Sequence, residues 1–216
     1  MRVHLKGSLA IAAGTLLALG GAGSARAGVG DTLTYLFNAE ATGSFTVGVT
    51  QATLVLTETA SGVDFVLSPN WGVTTGNNVE RLQFAFSGDP VTFAYVSGAE
   101  IDSGAPQFGA HAGSFDASYS TPAYYQVEWF NSSSKKFDDS KPTSSWSLNG
   151  AGITLADFSI AATTPNVNKP SPIFGVISMP GAVPNNWVAA AVPEPEAYAL
   201  ALAGMLIVGS AMRRKA

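Results

Sequence analysis

The run Thr53-Leu54-Val55-Leu56-Thr57 and, across Glu58-Thr59-Ala60-Ser61-Gly62, the run Val63-Asp64-Phe65-Val66-Leu67 alternate in period two on both sides of a small polar turn. Successive side chains of a strand point to opposite faces, so Leu54, Leu56, Val63, Phe65 and Leu67 share one face of a hairpin. Gly62, at the end of the turn, can supply a positive φ. The pattern predicts two antiparallel strands with one buried side.

The same period recurs outward from this hairpin. Residues 32–38 and 44–49 read as earlier strands. Leu82, Phe84 and Phe86 alternate, Gly88-Asp89-Pro90 interrupts, and Val91, Phe93 and Tyr95 alternate again, which predicts a second hairpin. Tyr125, Val127 and Trp129 fall on one face of a further strand, with Gln126 and Glu128 on the other. Residues 146–148 and 153–155 flank the turn Asn149-Gly150-Ala151-Gly152, and 173–177 form the last strand read from the pattern. Residues 98–120 and 131–145 read as long loops. No stretch of 28–191 keeps a helical apolar period over three turns, so the expected fold is all-β, an antiparallel β-sandwich or jelly-roll-like domain.

Composition narrows the function classes. The 216 residues are 46% hydrophobic and 12% charged, with no cysteine, which excludes a disordered tail, a disulfide scaffold and a thiolate zinc site. Residues 28–191 carry 5 basic and 13 acidic side chains, a net charge of −8, which opposes binding to nucleic acid.

The two ends read as routing segments. Residues 1–27 have a basic start at Arg2 and Lys6, an uncharged apolar stretch over 7–19, and small residues Ala25 and Ala27 for cleavage before Gly28: the three parts of a signal peptide. At the other end, residues 197–212 are 16 uncharged residues, about 24 Å as a helix, against a hydrocarbon core of roughly 30 Å. Tyr198 at one interface, with Arg213, Arg214 and Lys215 snorkelling at the other, closes the gap, and the basic cluster sets a cytoplasmic end. Val192-Pro193-Glu194-Pro195 precedes this transmembrane segment as a stiff extended linker, because two prolines around one residue exclude a helix.

That order of linker, apolar run, basic tail and N-terminal signal, with Ala197-Tyr198-Ala199-Leu200 and Gly204, resembles the C-terminal sorting signal of PEP-CTERM proteins over residues 192–216. Glu196 stands where that family often has Ser or Ala. The resemblance implies an exosortase as processing partner at Val192, Pro193, Glu194 and Pro195, and a Gram-negative cell surface making extracellular polysaccharide. The membrane anchor would then be transient and the mature protein surface-bound or extracellular.

Within the domain, chemistry is sparse. His111 is the only histidine of 28–191 and no thiol exists; within Gly109-Ala110-His111-Ala112-Gly113 it would be a poorly oriented base, and sites built on several His or Cys are excluded, so no catalytic residue, metal or cofactor is expected. Glu58, Glu80, Glu100 and Glu128 are the carboxylates available to a glycoside-hydrolase pair. Glu128 beside Trp129 and Tyr125 is the candidate for a sugar-binding patch, and Asp102 with Asp138 and Asp139 for a calcium loop. The expectation is a non-catalytic surface or matrix protein associated with extracellular polysaccharide. The alternatives are a carbohydrate-binding module or adhesin, or a carboxylate-dependent hydrolase.

Overall fold

A computed structural model describes residues 28–42, 48–73, 78–89, 91–115, 118–132, 134–180 and 186–191. The domain is all-β, with two antiparallel sheets packed face to face. The first holds β1 (Thr32–Phe37), β3 (Ala52–Glu58), β4 (Gly62–Pro69), β9 (Ser144–Asn149) and β6 (Thr92–Gly98), in the order β1-β3-β4-β9-β6. The second holds β2 (Ala39–Thr42), β11 (Trp187–Ala191), β10 (Ile173–Ser178), β5 (Arg81–Ala85), β8 (Tyr119–Glu128) and β7 (Gly109–Phe115), in the order β2-β11-β10-β5-β8-β7. Among the described residues no helix is long and apolar enough to cross a membrane. The signal residues Ala25 and Ala27, the linker Val192 to Pro195, the segment 197–212 and Arg213, Arg214 and Lys215 lie outside the described residues.

The hairpin at 53–67 forms in the expected register, with Leu54 opposite Leu67 and Leu56 opposite Phe65. Leu54, Leu56, Val63, Phe65 and Leu67 are all fully buried. Gly62 is required for a reason the turn alone does not give: a Cβ there would lie 2.1 Å from the Leu148 carbonyl oxygen of β9. Phe65 is the hub of the space between the sheets. Its ring stacks on Trp146 at 5.1 Å and on Phe84 of the opposite sheet at 5.5 Å, and meets Phe158 edge-on at 5.1 Å.

Three expectations are corrected. Residues 82–86 and 91–95 do not form a hairpin. β5 pairs with β8 and β10 while β6 pairs with β9 in the other sheet, so the connection crosses the sandwich. Gly88 is there for space, since a Cβ would meet Ile153 Cδ1 at 2.5 Å and the Phe86 ring at 2.7 Å. Residues 153–155 lead not into a strand but into a 3₁₀ turn, Leu155–Phe158, because Asp157 Oδ2 accepts from the Thr154 N–H at 2.9 Å and turns the chain. The segment 98–120 is not a continuous loop: β7 lies within it, pairing along β8 as an edge strand.

The second sheet buries residues on both faces, the outer one mixing apolar and polar side chains. Leu82, Phe84, Tyr125, Val127, Ile177 and Val188 face the first sheet. Ala85, Val176, Trp187 and Ala189 form a separate cluster on the other face with Phe115, Tyr119 and Ala162.

Removing the hub is expected to cost far more than removing its outward neighbour. Phe65→Ala should lose about 3–5 kcal/mol of unfolding free energy, whereas Val66→Ala, at a position 40% exposed, should lose under about 1 kcal/mol. Urea denaturation of the two variants checks this.

A second expectation concerns alkali. Burial pushes the hydroxyls of Tyr119 and Tyr125 up to about 12, and that of Tyr35, which donates to the Phe158 carbonyl, higher still. The unfolded chain releases these protons near the ordinary value of about 10, so the folded state holds more protons above that pH. Their contribution is intact below about pH 10 and is lost as pH rises through about 12. Urea midpoints measured on either side of pH ~10 should be level below it and fall above it.

Candidate functional site

The sequence candidates are placed apart. Tyr125 and Trp129 point into the sandwich and are 4% and 3% exposed, so neither ring is presented to solvent. Trp129 Nε1 donates to Ser144 Oγ at 2.9 Å, tying the end of β8 to the start of β9. Glu128 lies on the opposite face of β8, where its Oε1 receives Arg81 Nε at 2.9 Å and Gln126 Nε2 at 2.8 Å. Gln126 Oε1 in turn accepts from Gln83 Nε2 at 2.5 Å, and both glutamines are fully buried. The ladder follows from register, because Arg81 lies opposite Glu128 and Gln83 opposite Gln126. Glu128 is thus a structural anion in a buried polar row, not part of an aromatic patch.

Other aromatics give no stacking surface. Trp146 and Trp187 are buried, Trp71 and Tyr124 partly so, and Tyr95 on the edge strand β6 is 43% exposed. His111 sits in β7 with its ring stacked on Tyr124 at 5.2 Å.

The acidic candidates are engaged in local bonds, and the Asp102 N–H donates to the Glu128 carbonyl at 2.8 Å. Asp138 accepts from the N–H and Oγ of Ser140, and that hydroxyl, aided by the nearby Lys141, holds its carboxyl below the usual range. Asp102 closes its own turn through the N–H of Gly104 at 3.2 Å. Glu100 pairs with Lys135 at 3.0 Å. No three His, Asp or Glu side chains gather in a metal-holding group among the described residues.

Glu58 is different. It occupies the fourth inward position of β3 after Ala52, Leu54 and Leu56, and is 6% exposed. Its Oε2 accepts from the Leu155 N–H at 3.0 Å, seating the 3₁₀ turn over the end of the sandwich. Its other oxygen, Oε1, has no protein hydrogen-bond donor among the described residues. Glu58 borders a depression of about 680 Å³ formed by the β3–β4 turn and the chain between β9 and the 3₁₀ turn, with Thr59, Ser61, Asn149, Gly150 and Thr154 in its lining. Ser61 Oγ donates to Asn149 Oδ1 at 3.1 Å, which orients the amide, and the Gly150 N–H donates to the Ser61 carbonyl at 3.0 Å. β9 runs from Ser144, bonded to Trp129, to Asn149 in this depression, so Glu58 and Glu128 occupy opposite ends of the sandwich and do not form a carboxylate pair.

The sequence named Glu58 among four glutamates but did not single it out. The available signal was a charged residue in an apolar register position. The turn residues around it had no signal of their own. Comparison with protein-family models, with curated proteins and with solved structures finds no match to this chain.

The buried polar row makes a measurable claim. Gln126→Ala removes the acceptor of Gln83 Nε2 and a donor to Glu128, and should destabilise the domain by about 1–3 kcal/mol. Thermal unfolding monitored by circular dichroism checks the loss.

Proposed function

We propose that this protein is exported behind residues 1–27, held in the membrane by residues 197–212, and released by an exosortase-type enzyme at Val192-Pro193-Glu194-Pro195. Its working form is then a non-catalytic surface or matrix protein associated with extracellular polysaccharide. The observation that carries the reading is the order of residues after the last described strand: rigid diproline linker, uncharged run, then Arg213-Arg214-Lys215. The domain accords with it. β11 reaches Ala191, the last described residue, paired with Ile173 of β10, so the linker follows this strand directly in the sequence. Cleavage there leaves the core whole, whereas cutting within β11 would strip Val188 and Ala190 from it.

Five residues separate Ala191 from Ala197, at most about 17 Å of extended chain. Before processing the sandwich therefore stands directly on the membrane. At the other terminus the Gly28 nitrogen lies 2.7 Å from Asp31 Oδ2, so a cut before Gly28 would free an ammonium beside a carboxylate.

Mass spectrometry of the protein from hosts with and without the processing enzyme tests it. The expected mature chain begins at Gly28 and loses residues 197–216 only when the enzyme is present. An intact tail in both hosts would refute the processing step.

A further inference from the structure

We propose that the groove between the open edge of β1 and the end of β11 seats the side chain of Val192, the first residue of the sorting linker, so that the folded domain grips the linker and offers a processing enzyme only Pro193 onward. The seat follows from the geometry of the domain, while its bearing on cleavage rests on the processing reading.

β1 is an edge strand. The carbonyls of Asp31 and Phe37 accept from the N–H groups of Glu58 and Gln51, so odd-numbered residues here bond toward β3. Backbone groups of an antiparallel strand alternate between its two sides, and the N–H and C=O of Thr34 and Leu36 therefore face the open side. These two residues line a groove of about 160 Å³ with Tyr35, Asn38, Phe174 and Ala191. Its walls are largely apolar: the Tyr35 and Phe174 rings stack at 4.8 Å, Leu36 is 46% exposed, and no charged side chain borders it.

Three features choose the occupant. The first is connectivity, because Ala191 is both a wall of the groove and the residue bonded to Val192, whose Cα lies about 3.8 Å further on. The second is direction. Val188 and Ala190 face the other sheet while Trp187 and Ala189 face away, so the period of two carries Val192 inward, on the side of Tyr35 and Phe174. Pro193 supports this, since the residue before a proline is held in extended backbone. β2 pairs with β11 only at Trp187, Val188 and Ala189 and leaves its end open toward the groove. The third is size. The volume is below the roughly 300–1,000 Å³ of small-ligand sites, whereas a cavity of about 150 Å³ takes a benzene ring, so the groove suits one branched aliphatic side chain. With Val192 held, the free linker shortens to residues 193–196, at most about 14 Å.

The chain has no cysteine, so a single introduced thiol reports accessibility without background. Full-length Val192→Cys and Glu194→Cys, purified in detergent, are labelled with a maleimide. Val192→Cys is expected to react at least about tenfold more slowly in the folded chain, and at a similar rate once urea unfolds the domain. Detergent shielding would give the opposite order, because Glu194 is nearer the apolar run 197–212. Leu36→Trp, at an exposed wall position, fills the groove and should bring Val192→Cys to the rate of Glu194→Cys. A second readout needs no thiol: Val192→Ser should lower the urea midpoint and Glu194→Ser should leave it unchanged. Equal labelling of the two positions in the folded chain, protection that survives Leu36→Trp, protection that appears only at high protein concentration and so belongs to a second copy, or a midpoint unmoved by Val192→Ser would each overturn the inference. No processing enzyme is present in these measurements, so their outcome is independent of whether the tail is cut.

Discussion

The contact of Phe65 with rings from both sheets is the constraint on which the architecture depends. No disulfide joins the two sheets, which are held face to face by apolar packing together with the buried Trp129–Ser144 hydrogen bond. Phe65 reaches Trp146 within its own sheet, Phe84 across the gap and Phe158 from the 3₁₀ turn, and Phe84 carries the contact on to Tyr125 at 5.8 Å. Large rings suit this position because each buries much area while losing few rotamers on ordering. The hub also sets the site, since the turn that Phe158 ends is the one that Glu58 anchors at its start.

What the sequence disclosed about the fold follows from how many faces each sheet buries. The first sheet is covered on one side, so β1, β3 and β4 alternate between core and solvent and were read directly. The second is covered on both sides, and along β10 and β11, where both faces are apolar, this erases the alternation. The run Trp187-Val188-Ala189-Ala190-Ala191 has no period to detect, and β11 was missed. β7 was missed for another reason: Gly109-Ala110-His111-Ala112-Gly113 has almost no β-branched residues and is held as a strand by β8. The false hairpin at Gly88-Asp89-Pro90 shows a further limit of local pattern. Alternation establishes that two neighbouring segments are strands that contribute to one core, but not that they pair with each other.

The candidate site was less legible than the fold, because it is assembled from turns. Glu128, Trp129 and Tyr125 attracted notice as neighbours in sequence, yet the pleat that makes them neighbours sends their side chains to opposite faces. Glu58 and Asn149 are far apart along the chain and are united by the pairing of β4 with both β3 and β9. The β3–β4 half of that link is the hairpin legible in the sequence; nothing local specifies the pairing of β4 with β9. The isolated charge at an inward position of β3 was the one trace it left.

The place of β11 within its sheet has a bearing on how the molecule comes into being. It is the last described strand, yet it lies between β2 and β10 and is the only sheet neighbour of β2. A chain emerging N-terminus first therefore cannot complete the six-stranded layer until nearly all of the domain has appeared. Such long-range pairing slows folding, and it leaves the edge strand β2 without its described neighbour until the end of the domain is available.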